Sequence, residues 1–158
     1  MKKPNKFILL TILLVVFFIG YIRETIFLVI NSVIFNYDFP YNRSYVNPPE
    51  YLLNKSTEYL VNVKWFLTIL FPLIFLGILI GIIKYYFNNK RYIKYSLVIY
   101  FTLFFISFIL FALGFLFNNY DFVYPITRFF MGLAQSPLTI LVLFVVFYFN
   151  ERSSGVNN

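Results

Sequence analysis

The chain has 158 residues, of which 61% are apolar and 12% charged, with a mean hydropathy of +0.79 and a formal charge of +7. That leaves too little polar surface to coat a water-soluble globule of this size, so the composition predicts an integral membrane protein. With no Cys and no His, the usual thiolate, imidazole, zinc, haem and iron–sulfur chemistries are excluded, and no metal or cofactor is expected.

A bilayer core about 30 Å thick takes roughly 20 apolar residues in helix. The first candidate follows Lys2, Lys3 and Lys6 and is apolar from Phe7 until Arg23 and Glu24 interrupt it. Phe7 to Ile22 supplies only about 24 Å of helix, so the span is placed at 7–26 with Arg23 and Glu24 in its last turn. A long Arg there can reach the headgroups and avoid most of the roughly 3 kcal/mol that a charge costs at the bilayer centre. A cleaved signal peptide is the rival reading of residues 1–22, but no small-x-small site follows the apolar run, and Gly20 is flanked by Ile19 and Tyr21. Residues 26–35 are too few to cross again. Glu24, Leu28, Asn31 and Ser32 share a helical stripe there, so the first helix is expected to continue outward or tilt along the interface.

Residues 36–63 form the expected outer loop. Its first part, "NYDFPYNRSYVNPPEY", is rich in Tyr, Asn and Pro, and Pro48 and Pro49 bar helix locally. From Ser56 the pattern turns helical. Ser56 or Thr57 caps, Glu58 complements the helix dipole, and the helix can enter the second span unbroken, with Lys64 and the only Trp, Trp65, at the interface. The sequons at Asn42 and Asn54 are read as chance matches in an Asn-rich chain.

The second span, 65–87, has Lys84 as its one charge, and the third, 95–117, has none. Gly77 and Gly81 in "GILIG" have the spacing of close helix approach, assigned to packing inside the bundle over dimerisation. In the third span Ser96, Ser107 and Gly114 share a face and predict a helix-contact seam. The fourth span, 128–149, contains "TRFFMGLAQSPLTI". Arg128, Gln135 and Thr139 align at i, i+7 and i+11, with Met131 and Gly132 between them, as a polar line entering a helix that Pro137 should kink. Gln135 must face another helix or water, because an unpartnered amide in hydrocarbon costs several kcal/mol. An interhelical hydrogen bond is preferred over a ligand contact. Arg23 and Glu24 point about 100° apart on a helix and so need other partners; the expected outer-rim cluster pairs Glu24 with Arg128.

Four spans place Lys2, Lys3, Lys6, Lys84, Lys90, Arg91, Lys94 and Arg152 on one side with Glu151, while five bases and five acids cancel on the other. The positive-inside rule puts the basic side, with both termini and the tail 150–158, in the cytoplasm. The basic balance therefore implies membrane lipid headgroups as partners and no nucleic acid. The expected fold class is all-α: one membrane domain, 1–158, of four transmembrane helices, N-in/C-in, the first two extended beyond the membrane on the exported side.

The "RE" at Arg23 and Glu24, "YLVNVKWFLTILF" entering the second span, the basic "KRYIKY" and the "RFFMGLAQSP" of residues 128–137 carry a resemblance over nearly the whole chain. It resembles small four-span membrane proteins associated with exosortase systems of Gram-negative bacteria, the F-type and X-type accessory proteins. The resemblance implies an inner-membrane protein encoded beside an exosortase, the transpeptidase that cuts C-terminal sorting signals from exported proteins. It carries over no catalytic residues, and an exosortase itself needs a Cys nucleophile with His and Arg.

The expectation is thus a non-catalytic accessory protein that binds, stabilises or positions a partner membrane enzyme, with an exosortase as the suspected partner. It would act through the outer loop and a polar cluster of Arg23, Glu24, Arg128 and Gln135, on helices packed by Gly77, Gly81, Ser107, Gly114, Gly132 and Pro137. The alternative is a small transporter or channel subunit using Glu24 and the polar face of the fourth span. An enzyme pairing Ser or Thr with a Lys base comes third, since no Lys lies deep beside a Ser in any span.

Overall fold

Backbone polar groups inside a bilayer have no water to bond, and a helix satisfies them within its own segment. The computed structural model describes residues 6–36, 48–118 and 120–156, and every regular element among them is helical. The elements are α1 (Lys6–Ile34), α2 (Glu50–Leu53), α3 (Thr57–Tyr86), α4 (Lys90–Leu116), α5 (Tyr120–Ala134) and α6 (Pro137–Val156). Residues 37–47, with Asp38, Asn42 and Arg43, lie outside the described residues.

Local chemistry explains the helix ends. Ser56 caps α3, its hydroxyl accepting from the Tyr59 N–H at 3.3 Å, and Asn89 caps α4, its side chain accepting from the Arg91 N–H at 3.0 Å. Just beyond α1, α3 and α4 the chain turns at Asn36, Asn88 and Asn118, with φ of 49°, 48° and 50°. Asn is the non-glycine residue that best tolerates this left-handed conformation, so it serves as the stop signal.

Three helices are long and apolar enough to cross a membrane: Phe7–Ile34, Thr57–Tyr86 and Lys90–Leu116. Phe122–Ala134 and Pro137–Ser153 qualify together as a pair bent by 56°, making four spans if the pair is one broken crossing. The expected kink at Pro137 is thus a full break, because the helix ends at Ala134 and restarts at Pro137. The helix before it also begins earlier than the expected 128. As expected of the first helix, α1 continues past Arg23 and Glu24 to Ile34.

The central helix is α3, which packs against α1, α4, α5 and α6, while α4 and α5 form a closely packed hairpin. The buried face of α4 is Tyr92, Ser96, Tyr100, Ser107 and Gly114, so the small-residue seam is present and is completed by two tyrosines. The Ser96 and Ser107 hydroxyls donate to Tyr92 O and Leu103 O at 2.9 and 2.8 Å, which keeps their polarity within the helix. The core fills the end of the bundle near the α3–α4 turn with Leu79, Ile83, Tyr86, Phe87, Ile140 and Phe147. Tyr92 stacks on Phe147 at 4.6 Å and donates its hydroxyl to Glu151 Oε2 at 2.7 Å, tying the start of α4 to the end of α6.

The glycines required a correction. A Cβ at Gly77 or Gly81 would meet nothing within 4 Å, and both residues are exposed, so GILIG packs against no neighbour among the described residues. A Cβ at Gly132 would also meet nothing within 4 Å. The close approach is at Gly20, where an added Cβ would collide with Cγ of Pro137. Gly20→Leu is expected to lower stability by about 1–3 kcal/mol, the usual cost of overpacking. Gly77→Ala should be neutral or slightly stabilising through helix propensity. Thermal unfolding of the detergent-solubilised protein followed by circular dichroism compares the two.

Candidate functional site

At the end away from the core the helices separate around a cleft of about 1090 Å³, lined from α1, α3, α4, α5 and the α5–α6 break. Two backbone irregularities shape its floor. Pro72 lies inside α3 and has no N–H, so the carbonyl of Thr68, four residues earlier, loses its helical partner. Pro137 does the same to Leu133 at the break, where Thr139 Oγ1 donates to Leu133 O at 2.6 Å and Ser136 N–H donates to it at 3.1 Å. The Ser136 hydroxyl accepts from the Leu138 N–H at 3.1 Å and starts α6.

Gln135 occupies the break, 2% exposed. Its amide nitrogen donates to Thr68 O at 2.8 Å, filling the acceptor that Pro72 leaves open. Its Oε1 accepts from Arg23 Nε at 3.0 Å and from Nη2 at 2.6 Å. One amide therefore joins α1, α3 and the α5–α6 break, the interhelical role expected of Gln135. Arg23 also stands over the Phe27 ring at 5.0 Å and pairs with Glu24 through Nη1.

Arg23, Glu24, Arg128 and Gln135 line one cleft, as the expected cluster requires, but the expected ion pair within it is replaced. Glu24 meets Arg23, and no Glu24–Arg128 ion pair exists among the described residues. Side chains about 100° apart on a helix still meet here because the long guanidinium arm lies across the helix surface. The two adjacent charges have opposite environments: the Arg23 side chain is 17% exposed and turned into the bundle, the Glu24 side chain 72% exposed. The aligned polar line of the fourth span also fails, because the break falls between Arg128 and Thr139. Arg128 is exposed on α5, Gln135 is in the break, and Thr139 is spent on the Leu133 carbonyl.

Above this node, Lys64 Nζ donates to Oδ1 of the buried Asn31 at 2.7 Å, a second link between α1 and α3. Arg128 lines the same cleft as Arg23 and Lys64. Ser107 and Gly132 line the cleft as well, whereas Gly77, Gly81, Gly114 and Pro137 do not. Thr68 was not expected, although a Pro four residues after it was a readable sign that its carbonyl needs an outside donor. Among the described residues no group of three or more carboxylates stands where a metal ion could be held.

Gln135→Leu strands the Arg23 guanidinium and the Thr68 carbonyl, and the expected loss is about 2–3 kcal/mol, as for hydrogen bonds to charged or buried groups. In a Pro72→Ala background Thr68 regains a helical donor. The same Gln135→Leu change should then cost about 1 kcal/mol less, a coupling that a double-mutant cycle on unfolding in detergent measures.

No family model, curated protein or solved structure matches the chain.

Proposed function

We propose that this multi-pass membrane protein is a non-catalytic accessory subunit that binds and stabilises a partner membrane enzyme. The tip of the α4–α5 hairpin carries this reading. The 27-residue α4 is about 40 Å long, some 10 Å more than the hydrocarbon core. At its far end Leu116, Phe117 and Phe122 are 74%, 75% and 70% exposed. A cluster of large apolar side chains at the limit of the lipid core is a surface that a partner's membrane or juxtamembrane segment can cover. Exposed Glu24 and Arg128, at the cleft below it, offer charges of both signs for orientation.

The resemblance described above supplies the partner in this proposal, an exosortase-type sorting enzyme in a bacterial inner membrane. Lys64 and Lys84 are about 30 Å apart along α3, one bilayer core. With the basic cluster from Lys84 to Lys94, this supports cytoplasmic termini and an exported cleft and hairpin tip.

A C-terminally tagged chain crosslinked in its host membrane is expected to recover an exosortase or a protein bearing a sorting signal. Recovery of itself alone would argue against the accessory role and for transport, with Glu24→Gln as the next variant. The absence of native Cys makes orientation directly measurable. In intact cells a membrane-impermeant maleimide should label Ser56→Cys, and should label Ser153→Cys only after permeabilisation. The reverse pattern would invert the topology.

A further inference from the structure

The charges around the cleft do not balance. Arg23, Lys64 and Arg128 all line it, while Glu24 is the one carboxylate among the described lining residues. Glu24 faces outward and is engaged with Arg23. Lys64 has a neutral partner, the Asn31 amide oxygen. Arg128 has no acidic partner among the described residues and lines the same cleft as the other two cations. Cations gathered beside a low-dielectric space repel one another unless an anion joins them. After their contacts with Gln135, Glu24 and Asn31, the Arg23 and Lys64 heads keep N–H donors to give, and the Arg128 guanidinium has no hydrogen-bond partner among the described residues.

Large apolar and aromatic side chains make up much of the remaining wall. Phe27, Trp65, Ile69, Phe108 and Phe111 line the cleft, with Trp65 edge-on to Phe111 at 5.4 Å. A space of about 1090 Å³ greatly exceeds what a bare anion fills, and its aromatic sides give an inorganic ion nothing to bond. We infer that the cleft is a specific site for an anionic phospholipid, the phosphate headgroup meeting Lys64 and Arg128 with Arg23 beneath, and an acyl chain lying along the aromatic wall. Arg and Lys suit this task because they offer several donors to phosphate oxygens, Arg in a planar fork. The site shares Arg128 with the surface proposed to orient a partner, but lipid binding requires no protein partner, so it is tested on the isolated chain whatever becomes of the accessory role.

Trp65 is the only Trp in the chain and lines the cleft, so its fluorescence reports what lies there. The protein is reconstituted in phosphatidylcholine nanodiscs containing increasing fractions of either brominated phosphatidylglycerol or brominated phosphatidylcholine, whose tails quench Trp on contact. Half-maximal quenching is expected at about a tenfold lower mole fraction of the anionic lipid, the preference that two nearby cations can supply. Lys64→Gln with Arg128→Gln should bring the two curves together at unchanged helix content. If that double variant does not fold, exposed Arg128→Gln alone carries the test and should reduce the preference about threefold. Equal quenching by both lipids in the unaltered protein, or a preference that survives the substitutions, overturns the inference. Added inorganic phosphate should leave the preference intact; if it abolishes the preference, the cations serve a free anion and the lipid assignment fails.

Discussion

The arrangement of the cleft end of the bundle depends on one side-chain amide, that of Gln135, held between the Arg23 guanidinium and the Thr68 carbonyl. Each member is costly alone: a charge away from water, an acceptor freed by Pro72, and a polar side chain in a helix break. Together they satisfy one another, which makes the group resistant to piecemeal change. Helices in lipid gain little by burying apolar faces against each other, because the acyl chains are as apolar as Leu. Polar contacts and close packing therefore choose the neighbours. Gly20, Arg23, Phe27 and Asn31 recur at three- and four-residue steps along α1. The grip on Arg23 turns this same face inward, bringing Gly20 against Pro137 and Asn31 against Lys64.

The break also explains why the bundle is asymmetric. At the α3–α4 turn, aromatic packing and the Tyr92–Glu151 hydrogen bond close it. At the other end α5 leaves α6 at 56°, and Gln135 and Ser136 of this break line the cleft. Pro137 does two jobs at this point. It ends the helical hydrogen bonding, and its ring fills the notch that the missing side chain of Gly20 provides. The price of the break in backbone bonding is small, since Thr139 and Ser136 serve the Leu133 carbonyl locally.

Much of the architecture was legible in the residue order. The apolar runs, the Ser56 cap, the outward continuation of α1 and the disruption at Pro137 depend on neighbours within a few positions, and local rules describe them. The candidate site was legible only in part. Gln135 was recognisable as a residue that must find a partner across helices, because an amide in hydrocarbon cannot remain alone. Arg23 was grouped with it in one polar cluster, but the bond between them, across 112 residues of chain, was not recognisable. Glu24 was assigned to Arg128 on depth and charge, but depth is shared by every residue of one layer and cannot select among them. The glycines show the same limit: Gly77 and Gly81 have the spacing for packing and no neighbour, whereas Gly20 has a neighbour and no motif.

Residue order alone specifies a helical protein of the membrane, because composition and the length of apolar runs decide whether a chain can be solvated by water or by lipid. It also marks the Ser56 start of α3 and the disruption at Pro137, because caps and prolines act within one turn, but not the short α2 or the early start of α5. Only the tertiary structure decided which face of each helix looks inward, and so which charges share a cleft. Inner and lipid-facing surfaces are both apolar here, leaving a helix's rotation about its axis unmarked by hydrophobic pattern. That rotation is set by a few polar and steric contacts between residues far apart in the chain.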